Sequence, residues 1–148
     1  MEPSDINQSI GYLTGRSHRL IRDAVSAELV AQGYEISSTF MPVLGYMALN
    51  HPKPIVQRDL VDMLDFDRHR VSRIVKEIEG KGWIRSQTNP KSKRENLIEL
   101  SKEGFSIFKV IGQCASEVFE RAFEGCSREE REITEKTLKI IINNLSAS

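Results

Sequence analysis

The chain has 148 residues, 39% hydrophobic and 28% charged, with a formal net charge of zero. This size and composition predict one folded domain with a sizeable core and exclude a disordered chain. Two cysteines, Cys114 and Cys126, are too few for a disulfide framework. No apolar run approaches the roughly 20 residues that span a bilayer, and the acidic N-terminus is unlike a signal peptide, so we expect a cytoplasmic protein with no membrane partner.

The zero net charge conceals one strongly basic segment. Residues 68–94 contain nine Lys or Arg and two Glu, a net charge of +7, and the rest of the chain carries −7. A polyanion responds to the local field of a surface rather than to the total charge. The distribution therefore favours a nucleic-acid partner.

Two helices are predicted before the basic segment. Apolar residues recur at helical spacing over about 5–31, which predicts a long first helix of the kind that often packs on a partner chain. A second helix is predicted to end at Asn50. Pro42 is tolerated in the first turn of that helix, and residues 51–54 (His-Pro-Lys-Pro) break the chain after it. The predicted caps and stops are Ser4, Gly33, and Ser38 or Thr39.

A short helix, a turn and a basic helix come next. The third predicted helix covers 57–64, and residues 65–67 form a turn in which Asp67 caps the fourth helix, 68–81. Apolar residues of the fourth helix recur at i, i+3, i+4 and i+7, and Gly82 ends it. The pattern predicts a helix with one side docked on the third helix and a basic side exposed.

A basic hairpin and two long helices complete the chain. Residues 83–87 and 96–100 alternate like two strands around a basic turn, 89–94. Helices are predicted over about 101–123 and 127–145, the second opening with a capping box at Ser127 and Glu130. Its apolar residues form too large a patch to remain in water, which predicts a dimer: Ile133, Leu138, Ile141, Ile142 and Leu145.

This order of elements predicts a mainly α fold with a small β-hairpin wing, in which a winged helix-turn-helix core is flanked by N- and C-terminal dimerisation helices. A helix fits the major groove of B-DNA, where Arg can donate two hydrogen bonds to guanine. A cationic hairpin tip can reach the adjacent minor groove or backbone. The predicted DNA-binding residues are Arg68, His69, Arg70, Ser72, Arg73, Lys76, Lys91, Lys93 and Arg94.

At these residues the chain resembles the MarR family of bacterial transcriptional regulators. The resemblance is carried by an ordered set of segments: Gln57–Leu64, Val71–Val75, Glu79–Ile84, Asn89–Arg94 and Leu100–Gly104. It implies a single MarR-type domain over 1–148, with a DNA-binding lobe at about 37–100 and dimerisation helices at about 5–31 and 101–146.

The resemblance also implies a function. It implies an obligate homodimer that binds a pseudo-palindromic operator on double-stranded DNA, most simply as a repressor, and that a small aromatic or anionic effector releases. The residues that correspond to the effector site are Tyr12, Arg16, Tyr46 and Met47.

Four positions depart from the family pattern. The wing tip reads Ser92-Lys93-Arg94 where the family commonly has Asp-Arg-Arg, so Ser92 cannot supply the charge that orients a neighbouring arginine. Asp65 stands where a turn glycine is usual, and Val56 where a capping Ser or Thr is usual. These departures bear most on the orientation of the wing.

Other functions find less support in the sequence. The histidines His18, His51 and His69 fall on three predicted elements, and the cysteines lack ligand spacing, so we expect no metal or other cofactor. No phosphate loop or catalytic constellation is recognisable, so we expect no enzyme. Cys114 is predicted to be a packed core thiol, and Cys126 a partly exposed one. A winged-helix module that binds protein instead of DNA remains the alternative.

Overall fold

The computed structural model describes residues 3–64 and 66–146, so the predicted turn residue Asp65 lies outside the described residues. The elements confirm the mainly α fold with a hairpin wing. In chain order they are α1 (Ile10–Ala31), α2 (Phe40–Asn50), β1 (Ile55–Val56), α3 (Gln57–Leu64), α4 (Arg68–Gly80), β2 (Ile84–Asn89), β3 (Ser92–Leu100), α5 (Lys102–Ala122) and α6 (Arg128–Ser146).

The first helix begins later than predicted. Residues Pro3–Gln8 form a 3-10 helix, and Ser9 separates it from α1. The Ser9 hydroxyl accepts the N–H of Tyr12 at 3.3 Å and donates to the carbonyl of Ile6 at 2.8 Å. Ser9 is therefore the cap of α1, and the prediction of a helix that starts at about residue 5 is wrong. The side chain of Ser4, the predicted cap, lies outside the described residues.

The link from α1 to α2 follows the prediction in outline. Gly33 has a φ of +86°, the left-handed conformation that ends many helices, and Pro42 lies in the first turn of α2. Thr39 occupies the cap position, but its side chain makes no capping hydrogen bond. It contacts the hydroxyl of Ser37 at 2.8 Å instead.

The three strands form one antiparallel sheet in the order β1-β3-β2. Ile55 of β1 pairs with Ile98 of β3, and Ile84 of β2 pairs with Leu100. β1 was not predicted, because two residues are too short to show alternation. The sheet connects the start of α3 to the base of the hairpin.

The core lies between the sheet and helices α1 to α5. Leu29, Leu44, Leu60, Ile78 and Ile98 are fully buried there. α5 packs along α1 and α2, whereas no described residue of α6 is buried. The winged-helix lobe is thus a closed core, and α6 extends from it with its side chains exposed.

Candidate nucleic-acid interface

α4 presents one buried and one exposed face, as its spacing predicts. Val71, Ile74, Val75 and Ile78 are buried against the core. Of the residues predicted to bind DNA, all those on α4 are exposed except Ser72, which is half-buried: Arg68, His69, Arg70, Arg73 and Lys76. The sequence pattern therefore places five of the six predicted α4 residues fully on the solvent side.

The start of α4 is fixed by Asp67. The backbone N–H of Arg70 donates to Asp67 Oδ1 at 2.8 Å, which confirms the predicted cap. This hydrogen bond, with smaller contributions from the neighbouring His69, holds the pKa of the Asp67 carboxyl below its usual 3.8. The cap stays ionised near neutral pH, where its charge complements the positive end of the helix dipole.

Phe66, which precedes the cap, contacts the guanidinium of Arg70 with its ring. The guanidinium carbon of Arg70 lies 3.9 Å from the centre of the Phe66 ring, a cation–π geometry. The ring is half-buried and packs against the core. Sequence reasoning missed this contact.

The wing is longer and tighter than predicted. Because Asn89 pairs with Ser92, the hairpin closes through two residues, Pro90 and Lys91, and the prediction of a turn over 89–94 is wrong. The side chain of Asn89 accepts the N–H of Lys91 at 2.9 Å, and the Ser92 hydroxyl accepts the N–H of Arg94 at 3.4 Å. Ser92 thus stabilises the local backbone, a role that needs no charge.

The three predicted wing cations project into solvent. Lys91, Lys93 and Arg94 are exposed. Among the described residues no ion pair involves them, and none involves Arg68, Arg73 or Lys76. Exposed cations without an ion-pair partner attract an external anion more strongly than cations that are paired. The helix face and the wing tip together form a basic surface, and its Lys and Arg side chains make no ion pair among the described residues.

Acidic residues pair instead with cations at the base of the wing. Glu95 of β3 lies 3.1 Å from Arg58 of α3, and Glu99 lies 3.8 Å from Arg85 on the paired strand. Glu79 of α4 accepts the N–H of Ser86 at 3.2 Å. These contacts join the wing to α3 and α4. No sequence signal indicated them, because each joins residues on different elements.

The start of α3 accommodates the departure at Val56. Val56 has no side-chain acceptor, but its backbone N–H donates to Asp59 Oδ2 at 3.3 Å. This is the reciprocal half of a capping box without its Ser or Thr.

The predicted effector residues lie on two helices, α1 and α2. Arg16 donates to the Tyr12 hydroxyl at 3.3 Å, both on α1. Tyr46 of α2 is half-buried against the core, and Met47 is only 3% exposed within it. Their role in ligand binding stays a prediction.

An apolar groove lies elsewhere, between α1, α5 and α6. It has a volume of about 950 Å³ and an apolar lining that includes Leu13, Ile21, Phe119, Leu138 and Ile141. None of the four predicted effector residues lines it. The groove is therefore an apolar helical surface that no other element of the described chain covers.

The described chain offers neither a metal-binding cluster nor a membrane-spanning helix. Residues 3–64 and 66–146 contain no group of three or more His, Cys, Asp or Glu placed to hold a metal ion. Within the same ranges, no helix is long and apolar enough to cross a membrane.

Comparisons with known proteins agree with this geometry. A family model described as "MarR family" matches residues 36–95, which span the winged-helix core. No curated protein sequence gives a significant match.

Solved structures match nearly the whole chain. A MarR mutant from E. coli, complexed with operator DNA, is 19% identical with a TM-score of 0.81, over 96% of this chain and 99% of that one. A SlyA-like regulator from Listeria monocytogenes is 22% identical with a TM-score of 0.82, over 94% and 90%. CouR from Rhodococcus jostii, bound to p-coumaroyl-CoA, is 22% identical with a TM-score of 0.77, over 92% and 93%.

At these identities the solved structures show the fold, and the family model carries the assignment of the core. The two agree over the helix-turn-helix and the wing, and the structural matches extend through the flanking helices. Residues 36–95 thus match the MarR-family model, and the chain has the winged helix-turn-helix fold of the solved MarR-family regulators.

Proposed function

We propose that the chain is a sequence-specific DNA-binding transcriptional regulator that binds a pseudo-palindromic operator as a homodimer. The observation that carries the proposal is the exposed basic surface formed by the outer face of α4 and the wing tip. The helix would enter the major groove and the wing would contact the neighbouring backbone or minor groove. A MarR structure with operator DNA shares this fold, which supports the proposal.

The dimer is proposed from α6 and the groove beside it. Ile133, Leu138, Ile142 and Leu145 are each more than 40% exposed in one chain. Fully burying one such side chain contributes about 1.5–3 kcal/mol, so a partner chain that covers the helix would gain considerably. We assign residues of about 10–31 and 101–146 to this interface, and 37–100 to the DNA-binding lobe.

Repression and release by an effector are the regulatory part of the proposal. A dimer on an operator blocks access of other proteins to that DNA. A ligand that changes the distance between the two lobes from about one helical turn, roughly 34 Å, would prevent both from engaging. The CouR structure, whose ligand p-coumaroyl-CoA is both aromatic and anionic, supports an aromatic or anionic effector. This role is regulatory rather than catalytic, and it would be exercised in the cytoplasm of a bacterial cell.

Selection of bound sequences from random double-stranded DNA tests the proposal. We expect an enriched palindrome, bound with an affinity that falls steeply with salt. An enriched sequence without two-fold symmetry would contradict the dimeric mode. No enrichment, together with no binding to any duplex at low salt, would favour the protein-binding module. A screen of small carboxylic acids and their thioesters on the selected operator then tests for an effector.

A further inference from the structure

The Phe66–Arg70 contact sets Arg70 apart from the other basic residues of α4. Arg70 lies over the Phe66 ring at 3.9 Å, whereas no aromatic ring in the described chain lies under Arg68 or Arg73. Phe66 is itself held, because its half-buried ring packs against the core. Arg70 therefore rests on a fixed surface, while its neighbours extend freely into solvent.

The two ends of Arg70 are fixed by separate contacts. Its backbone N–H is bound to Asp67 Oδ1 at 2.8 Å, and its guanidinium lies on the ring of Phe66. Asp67 and Phe66 are adjacent in the sequence, so one short turn supplies both contacts. An arginine is a long side chain that loses much rotamer freedom on binding, and a residue held in advance loses less.

Stacking leaves the hydrogen-bonding edge of the arginine free. A guanidinium uses its flat face to contact an aromatic ring, and its five N–H donors lie in the plane of the group. A guanine edge in the major groove accepts two such in-plane hydrogen bonds at O6 and N7. The contact with Phe66 thus restricts where the guanidinium lies without occupying its donors.

We propose that Phe66 is a positioning residue that holds Arg70 for reading one base pair, with guanine as the preferred base, in each half of the operator. The inference rests on the proposed DNA-binding function and adds to it the residue that determines specificity at one position. Arg68, Arg73 and Lys76, which lack such a support, contribute affinity or readout through mobile side chains.

The test uses the full-length protein with Phe66→Leu, Phe66→Met and Phe66→Tyr. Leu and Met keep an apolar side chain against the core but remove the ring, and Tyr keeps the ring. Affinity is measured for the selected operator, for its single-base variants and for an unrelated duplex of equal length. Thermal unfolding of each variant confirms that it folds.

Loss of the ring should weaken operator binding by about 2- to 5-fold for each chain, or about 4- to 25-fold for a dimer that uses both. Discrimination should fall at the same operator position that Arg70→Ala flattens, and the affinity for unrelated DNA should not change. Phe66→Tyr should behave like wild type. Equal losses on operator and unrelated DNA would overturn the positioning role.

Double variants supply the matched control. In the Arg70→Ala background Phe66→Leu should cause no further loss, whereas in the Arg73→Ala background it should cause its full loss. Additive losses in both backgrounds would overturn the inference and leave the proposed function intact. Failure of the wild type to select any sequence would overturn the proposed function itself.

An NMR measurement on the free protein tests the contact between Phe66 and Arg70 independently of DNA binding. Protons of Arg70 that lie over the ring should resonate upfield of those of Arg73, and Phe66→Leu or Phe66→Met should remove the shift. Arg70 resonances at unshifted positions in the wild type would overturn the inference even if every variant at position 66 failed to fold.

Discussion

Gly104 of α5 lies directly against the backbone of Trp83, where α4 passes into the wing. A Cβ placed on Gly104 would lie 2.8 Å from the carbonyl carbon of Trp83 and would clash with its oxygen. Ser101 holds the same junction: its hydroxyl donates to the carbonyl of Gly82 at 2.6 Å and accepts the N–H of Gly104 at 3.0 Å. The Leu100–Gly104 segment of the family pattern is therefore the joint between wing and α5.

Replacing Gly104 by Ala should destabilise the protein by about 1–3 kcal/mol, because the backbone of Trp83 cannot yield as a side chain can. Gly112→Ala on the same helix is the matched control, since no atom beyond its chain neighbours and the nearby backbone of α5 lies within 4 Å of its added Cβ. That change should stabilise the protein by about 0.5–1 kcal/mol. Urea denaturation of both variants checks the pair, and a tolerated Gly104→Ala would show that the two segments can separate.

The parts of the fold that the sequence predicts are those with local signals. The bounds of α3 and the cap of α4 at Asp67 are confirmed, because apolar spacing and a capping side chain act within one turn. The predicted start of α1 is wrong because the apolar pattern already includes Ile6, before Ser9, so spacing alone favours Ser4 as the cap. The 3-10 helix over Pro3–Gln8 contains Ser4 and leaves Ser9 as the cap. β1 depends on Ile98, which lies far along the chain.

In the candidate site, too, the features with a local sequence signal are predicted and those that depend on contacts between separate elements are not. The exposed basic face of α4 follows from helical spacing and is confirmed. Arg58 and Glu95 meet only because α3 and β3 pack together. Phe66 and Arg70 are four residues apart, as contacts on a helix are, but Phe66 precedes the helix, so the spacing rule does not apply to it.

The Asp67 cap predicts a specific dependence of stability on pH. Since the hydrogen bond from Arg70 lowers the folded pKa of Asp67 below 3.8, its stabilising contribution is present at higher pH. It disappears as the pH falls from about 4 through that lower value. Asp67→Asn keeps an acceptor but does not titrate, so its free energy of unfolding should fall less between pH 5 and pH 3. Equal pH profiles by urea denaturation would contradict this.

The proposed dimer predicts opposite results for two faces of α6. A glutamate at Ile141 or Leu145 should dissociate or unfold the protein, because each lies on the exposed apolar face. Asn143→Glu adds the same charge on the polar stripe of α6 shared with Glu132 and Lys136, and should leave the dimer intact. Light scattering at micromolar concentration checks the mass of each, and a monomeric wild type would refute the dimer.

The two cysteines should differ in reactivity. Cys114 is fully buried, and burial raises the pKa of its thiol, so it holds little of the nucleophilic thiolate. Cys126 is exposed between α5 and α6. A thiol reagent should therefore modify one cysteine for each native chain and two after denaturation. Cys126→Ser should abolish the native reaction, and rapid modification of that variant would show that the core opens at Cys114.

The wing and α4 should contribute differently to DNA binding. Lys93 is an exposed point charge without an ion-pair partner in the described chain, so we expect it to contact phosphate. Lys93→Ala should weaken all sequences about equally and lower the salt slope by roughly 1 for each phosphate that the lysine no longer neutralises. Arg73→Ala, from the exposed face of α4, should instead flatten the preference at particular operator positions. A bidentate contact to guanine discriminates by about 1–3 kcal/mol.

Affinity for the operator and its single-base variants across a salt series separates the two roles. Lys136→Ala on α6 serves as the control, because it removes one exposed cation far along the chain from the proposed surface and should leave both the slope and the preference unchanged. A change of base preference in Lys93→Ala, with a uniform loss in Arg73→Ala, would reverse the assignment. The wing would then read sequence, and the helix would anchor the protein on the phosphate backbone.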